Sequence, residues 1–240
     1  VPQNKEELQK WLIEYHVGKD WKEGDPKNGD IFTHGHPNLW DVSLITDMKG
    51  LFYEEDEEDD PDDDENTGLE DFNEDISSWN VSNVTDMSEM FRGSTTFNQP
   101  IGGWDVSNVE DMNCMFYKSK AFNQPIGEWD VSKVDNMSSL FDSSGAFNLP
   151  IDKWNVSKVR DMTSMFSQSK AFNQPIGEWD VSKVTNMKDM FQASKVFNQP
   201  IDKWDVSKVT NMKDMFEGAS SFKQTLPDKW VKKLNEDYIK

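Results

Sequence analysis

The sequence has a single cysteine, Cys114, so no disulfide can form within the chain and stability must come from burial and hydrogen bonding. No apolar run approaches the length that crosses a bilayer, which predicts no membrane insertion. The opening Val1-Pro-Gln-Asn lacks the blocks of a signal peptide; a mature or trimmed chain would start the same way, so it says nothing against secretion. Basic residues are scarce: 25 Lys and Arg stand against 45 Asp and Glu, a formal charge of −20. Nucleic-acid binding works by neutralising phosphates, so this balance argues against nucleic acid and against anionic membrane surfaces. Hydrophobic residues make up 35% of the chain, too few for a thick globular core. Histidines number three, and no serine has a partner that spacing can nominate, so no catalytic constellation emerges. The chain reads as a non-enzyme.

What the sequence has in abundance is repetition. Trp79, Trp104, Trp129, Trp154, Trp179 and Trp204 stand 25 residues apart, and Trp40 opens an earlier copy. A fixed period of this length signals stacked repeats, each too small to bury its own apolar residues. The copy at Trp104 runs Trp-Asp-Val-Ser-Asn-Val-Glu-Asp-Met-Asn-Cys-Met-Phe116, then after five residues Phe122-Asn-Gln-Pro-Ile126. Trp104 and Val106, two apart, predict one face of a short strand. Val109, Met112, Met115 and Phe116 fall at i, i+3, i+6 and i+7, the stripe of a short helix. Ser43, Ser82, Ser107, Ser132, Ser157, Ser182 and Ser207 take the N-cap position of that helix. The residue before a proline avoids helical geometry, so Gln124-Pro125 closes the unit. Parallel pairing of successive strands at roughly 5 Å would then stack the side chains into ladders. Asn98, Asn123, Asn148, Asn173 and Asn198 predict an inward ladder bonding the backbone of adjacent turns. Cys114 shares its position with Glu89, Ser139, Ser164, Asp189 and Asp214, which predicts an exposed helical site without special chemistry.

The ends depart from the repeat. Residues 4–16 predict an amphipathic helix, with Asn4 and Glu7 as a capping box and Leu8, Trp11, Leu12 and Tyr15 on one side. Residues 1–39 thus form an N-terminal cap and connector, 40–229 the repeats, and 230–240 the C-terminal cap. That last helix spans 228–238, with Trp230, Leu234 and Tyr238 aligned. Capped at both ends, a column of repeats should resist end-to-end stacking and remain a monomer. His34-Gly-His36 in the connector suggests a metal pair, but no third ligand lies nearby, and a loop leading into Trp40 is the plainer reading.

The run Phe172-Asn-Gln-Pro-Ile-Gly-Glu-Trp-Asp-Val-Ser-Lys-Val-Thr-Asn-Met-Lys-Asp-Met-Phe191 resembles the repeat of BspA-like leucine-rich-repeat surface proteins, in the branch with mycoplasma-lipoprotein-type repeats. The resemblance covers about residues 34–229. It implies a curved α/β solenoid on the outside of cells, with adhesion as its role, and it transfers no catalytic residue. The expected fold class is therefore α/β: a right-handed leucine-rich-repeat-like solenoid of about seven 25-residue copies. A parallel sheet would form one face and short helices the other, with helical caps at both ends.

Two sets of residues are candidate sites. The residue after each Trp points away from the core of a strand: Asp41, Asn80, Asp105, Asp130, Asn155, Asp180 and Asp205. Like charges stacked at strand spacing repel, so each either bonds its own turn, faces a lysine, or receives a partner. The second set lies in the insertion at about 54–68, where Glu54–Glu65 holds eleven acids in twelve residues. Its structural reading is a solvated, self-repelling loop. The alternative is a calcium site built from Asp59, Asp60, Asp62, Asp63, Asp64 and Glu65, although the spaced pattern of an EF-hand loop is missing. Calcium is the one cofactor the sequence suggests. The function expected is a non-catalytic binding scaffold, extracellular or at the cell surface, recognising a host or neighbouring-cell protein or glycan. The alternative is a calcium-dependent, mineral- or ice-binding column. The threonine row that ice would need, Thr46, Thr85, Thr185 and Thr210, is broken by Glu110, Asp135 and Arg160.

Overall fold

The computed structural model describes residues 1–18, 34–53 and 69–237. Helix α1 spans Lys5–Gly18 and helix α2 spans Asp228–Asp237. The capping residues of α1 act as the sequence predicts: the Glu7 amide donates to Asn4 Oδ1 at 2.9 Å, and the Glu7 carboxylate accepts from the Gln3 amide at 2.7 Å. Residues 19–33 of the connector and the insertion at 54–68 lie outside the described residues.

Between the caps the expected α/β solenoid does not form. Among the described residues no copy contains an α-helix, and none contributes a strand to a sheet. Only isolated parallel bridges link the copies, at Asp47–Asp86, Asp86–Asp111, Asp111–Asn136, Asn136–Asp161, Asp161–Asn186 and Asn186–Asn211. The leucine-rich-repeat architecture with a parallel sheet on one face is therefore wrong for this chain.

A stack of layers built from consecutive tight turns forms instead, and the backbone of one layer shows how. The amides of Met115, Tyr117 and Ser119 donate within the layer, to the carbonyls of Met112, Cys114 and Phe116 at 3.2, 3.0 and 3.1 Å. The alternate amides leave the layer: Met112, Cys114, Phe116 and Lys118 donate to the carbonyls of Asn136, Ser138, Leu140 and Asp142 at 2.9–3.1 Å. The remaining amide, Asn113, donates to Asp111 Oδ1 at 2.7 Å. Every amide from 112 to 119 thus has an acceptor, as buried backbone demands. Such a path needs left-handed residues, and Cys114 and Lys118 have φ of 55° and 58°. These positive values recur at Glu89, Ser139, Ser164, Asp189 and Asp214, and at Gly93, Ser143, Gln168, Ala193 and Gly218. A helix cannot contain them, which is why the apolar stripe at 109–116 does not make one.

The alternate amides of the turn segment donate one way, to the carbonyls of the following copy, from Met48→Asp86 to Ala193→Glu217. Elsewhere in the copy the amides reach back: those of Thr85, Glu110, Asp135, Arg160, Thr185 and Thr210 do so just ahead of the bridge residue, Thr95 donates to the Glu70 carbonyl, and the asparagine ladder runs the same way.

Side chains stack in columns along the same axis. Phe116 lies 5.6 Å from Phe91 and from Phe141 with the rings nearly parallel, and Phe122 lies 6.2 Å from Phe97 and 6.1 Å from Phe147. Trp rings repeat at 6.4–6.5 Å, as in Trp79–Trp104 and Trp154–Trp179. From Trp104 to Trp204 each indole donates to the isoleucine carbonyl of the preceding copy, Trp104 to Ile76 and Trp129 to Ile101 at 3.2 Å, while Trp79 donates to the Pro37 carbonyl. On the Trp side the indole bond supplies the link between copies. Met and Val fill the remaining interior, and from Val42 to Met215 all but the exposed Val196 are buried.

Candidate binding surface

The outward column after each Trp is present and exposed: Asp41, Asn80, Asp105, Asp130, Asn155, Asp180 and Asp205 share one edge of the stack. Each holds its own turn. Asp105 Oδ1 accepts from the Ser107 amide at 3.1 Å, Asp130 from Ser132 at 3.0 Å, Asp180 from Ser182 at 3.0 Å and Asp205 from Ser207 at 3.0 Å. Asp41, Asn80 and Asn155 do the same with Ser43, Ser82 and Ser157 at 3.0–3.2 Å. The serine therefore serves as the donor of an Asx turn rather than as a helix N-cap. These hydrogen bonds from serine favour the ionised form and hold the Asp41, Asp105, Asp130, Asp180 and Asp205 carboxyls below the usual range. In each of these five carboxylates the turn amide takes one oxygen, so the edge presents a row of oriented acceptors.

A second Asx column stands at the bridge positions, where Asp86, Asp111, Asn136, Asp161, Asn186 and Asn211 each accept from the amide two residues on. It is half-buried, and burial raises the Asp111 carboxyl. The asparagine ladder bonds adjacent copies as expected: Asn98 Oδ1 accepts the Asn123 amide at 2.9 Å, and Asn148 Oδ1 accepts that of Asn173 at 2.9 Å. It runs along an exposed to half-buried edge rather than inward, because the Phe before each Asn takes the interior position. Gln124, Gln174, Gln199 and Gln224 add a second bond to the preceding Asn carbonyl, at 2.9 Å each. Leu149 replaces that glutamine in one copy and leaves the Asn123 carbonyl without it.

One concave feature interrupts the outer surface. A shallow groove of about 250 Å³ is lined by Pro175 and Pro200, by Gly177, by Asp152 and Asp202, and by the exposed Lys203–Glu178 ion pair. Gly177 creates the room: a Cβ there would stand 2.4 Å from the Pro200 carbonyl oxygen. The same wording recurs one pair of copies earlier, where Lys153 meets Glu128 at 2.5 Å. Exposed pairs of this kind contribute little to stability.

The remaining candidates divide. The acidic residues Asp59, Asp60, Asp62, Asp63, Asp64 and Glu65 lie outside the described residues. His34 stacks on Trp11 with ring centroids 3.5 Å apart, and His36 Nδ1 accepts the Asn38 amide at 3.2 Å, so the two imidazoles serve the N-terminal packing. Cys114 is half-buried at a left-handed turn position, not on an exposed helix. Burial pushes its thiol up, away from a reactive thiolate. Sequence reasoning missed the serine column: Ser119, Ser144 and Ser169 are buried and donate to the carbonyls of Phe91, Phe116 and Phe141 at 2.6–2.7 Å, and Ser194 donates to Phe166. The signal was visible as a serine three residues after the first Phe of each of those copies. It also missed Asp142, whose carboxyl burial pushes up to about 6.

No helix among the described residues is long and apolar enough to cross a membrane. None of the curated proteins and none of the solved structures matches the chain. A family model does, over residues 27–149 and again over 142–237, and its description is "Mycoplasma protein of unknown function, DUF285". With nearly all of the repeat region matched, the chain belongs to this repeat family.

Proposed function

We propose that the protein is a non-catalytic binding scaffold, exposed on the cell surface or outside the cell, that holds a protein or glycan through its outer edge. The observation that carries this reading is the Asp/Asn column. Seven side chains in consecutive layers are fixed by their own turns, each with acceptor capacity left over, so a ligand meets them with little ordering cost. Solenoid-like and stacked repeats use such extended faces for binding. The likeness of the repeat wording to BspA-like surface proteins supports adhesion and an extracellular location. The low carboxyl pKa values keep the column charged well into acid, which suits partners rich in hydrogen-bond donors or cations. No specific geometry favours catalysis.

The test uses the turn chemistry. Asn already occupies the column at Asn80 and Asn155, so changing Asp105, Asp130, Asp180 and Asp205 to Asn keeps the Asx turns and removes four charges. The variant should unfold at nearly the wild-type midpoint while losing tenfold or more in binding to cell surfaces or glycan and protein arrays. Unchanged binding would show the column to be a solvating edge only.

A further inference from the structure

The forward bonds of the ladder stop at the last layer, where three amides have no acceptor among the described residues. In the layer before it, the amides of Asp189, Phe191 and Ala193 donate to the carbonyls of Lys213, Met215 and Glu217 at 2.9, 2.9 and 2.6 Å. Their counterparts, the amides of Asp214, Phe216 and Gly218, have no acceptor among the described residues. Asp214 and Gly218 keep φ of 55° and 69°, so this edge retains the conformation of the interior layers. The rings beside it are open as well. Phe216 stacks on Phe191 at 5.7 Å and Phe222 on Phe197 at 6.0 Å, yet both are only partly buried, whereas Phe191 and Phe197 are fully enclosed. Helix α2 covers the other half of this end: Trp230 packs on Trp204 at 6.2 Å, and Lys233 Nζ reaches the carbonyls of Val206, Ser207 and Val209.

The surface that fits this edge is already present at every interior junction. It is a layer offering carbonyls at every second residue together with two phenylalanine rings. The chain's own first layer has its corresponding edge closed, with Lys5 Nζ on the Lys49 carbonyl at 3.2 Å and Leu8 and Leu12 fully buried beside it. A second copy therefore cannot enter head to tail, and two donor edges cannot satisfy each other. We propose that the edge at Asp214, Phe216 and Gly218 binds a layer of this same repeat wording carried by another polypeptide, one whose carbonyl edge is open. Such docking would continue the column from chain to chain by strand-like addition.

The probe is a synthetic peptide of residues 186–197, which carries the carbonyls that accept in the interior and the rings of Phe191 and Phe197. Titrated into the full chain, it should shift the amide resonances of Asp214, Phe216 and Gly218 saturably, with one peptide per chain. The same peptide with Phe191→Ala and Phe197→Ala should bind at least tenfold more weakly. Three results would overturn the proposal. One is no movement of these amides at millimolar peptide, and another is equal movement with a scrambled peptide. The third is movement on concentrating the chain alone, which would make a second copy the occupant.

Discussion

Helices close both ends of the column, but they close different amounts of it. At the N-terminal end α1 seals the whole layer: Leu8 and Leu12 are fully buried, Trp11 meets Trp40 edge-on at 5.6 Å, and Phe52 and Phe72 retain only 2% and 1% exposure. At the C-terminal end α2 shields the tryptophan column and leaves the phenylalanine columns with one open face. The polarity of the ladder makes the difference consequential. The closed end carries carbonyls, one of which accepts from Lys5, whereas the open end carries amides fixed in a row. The two helices therefore leave different parts of the end layers uncovered.

The largest expected effect separates the two ends by truncation. Leu12→Ala opens a cavity in a sealed layer and should cost about 2–5 kcal/mol in urea unfolding. Phe216→Ala, at a ring with one face already open, should cost about 1–2 kcal/mol, because less contact is lost. Equal costs would mean that the ends are equally covered. Next comes the lysine on each cap. Lys233→Met strands three carbonyls and should cost about 1.5–3 kcal/mol, against about 0.5–1.5 kcal/mol for Lys5→Met, which releases one. The same order should appear in the urea midpoints. The smallest effect lies in the middle. Asp142 carries a carboxyl raised to about 6 by burial, so its ionised form is disfavoured in the fold. A raised carboxyl binds more protons folded than unfolded between its two pKa values. Stability should therefore rise as pH falls from 7 through about 6 towards 4. Asp142→Asn should gain about 1 kcal/mol at neutral pH, a figure reduced for its partial exposure, and nothing near pH 4. A gain that persists in acid would point to packing instead of charge.

Much of this was legible in the sequence. The period, the aromatic and methionine columns, both capping helices and the Asn4–Glu7 box follow from spacing and apolar pattern. The structure within a copy was not. Val109, Met112, Met115 and Phe116 satisfy a helical stripe, but they satisfy a chain of turns equally well. The decisive feature, positive φ at Cys114 and Lys118, falls on residue types that rarely announce it. Only Gly50, Gly93 and Gly218, near the ends of those columns, carry the usual signal. Trp104 and Val106 read as a strand because they alternate, but the copies are linked there by the indole bond and no ladder forms. The Asp/Asn column is exposed at the positions the alternation names, and its bond to the following serine was one of the compensations expected. Its partner is not written in the repeat, because that edge is nearly identical in every copy.

Native-state hydrogen exchange along the chain tests the one-way ladder most directly. If the alternate amides of the turn segment donate towards the following layer, those of Asp189, Phe191 and Ala193 should exchange slowly, close to the global unfolding limit. Those of Asp214, Phe216 and Gly218, identical in conformation but without acceptors, should exchange orders of magnitude faster. Equal protection of both sets would contradict the polarity of the ladder and the openness of the last layer together.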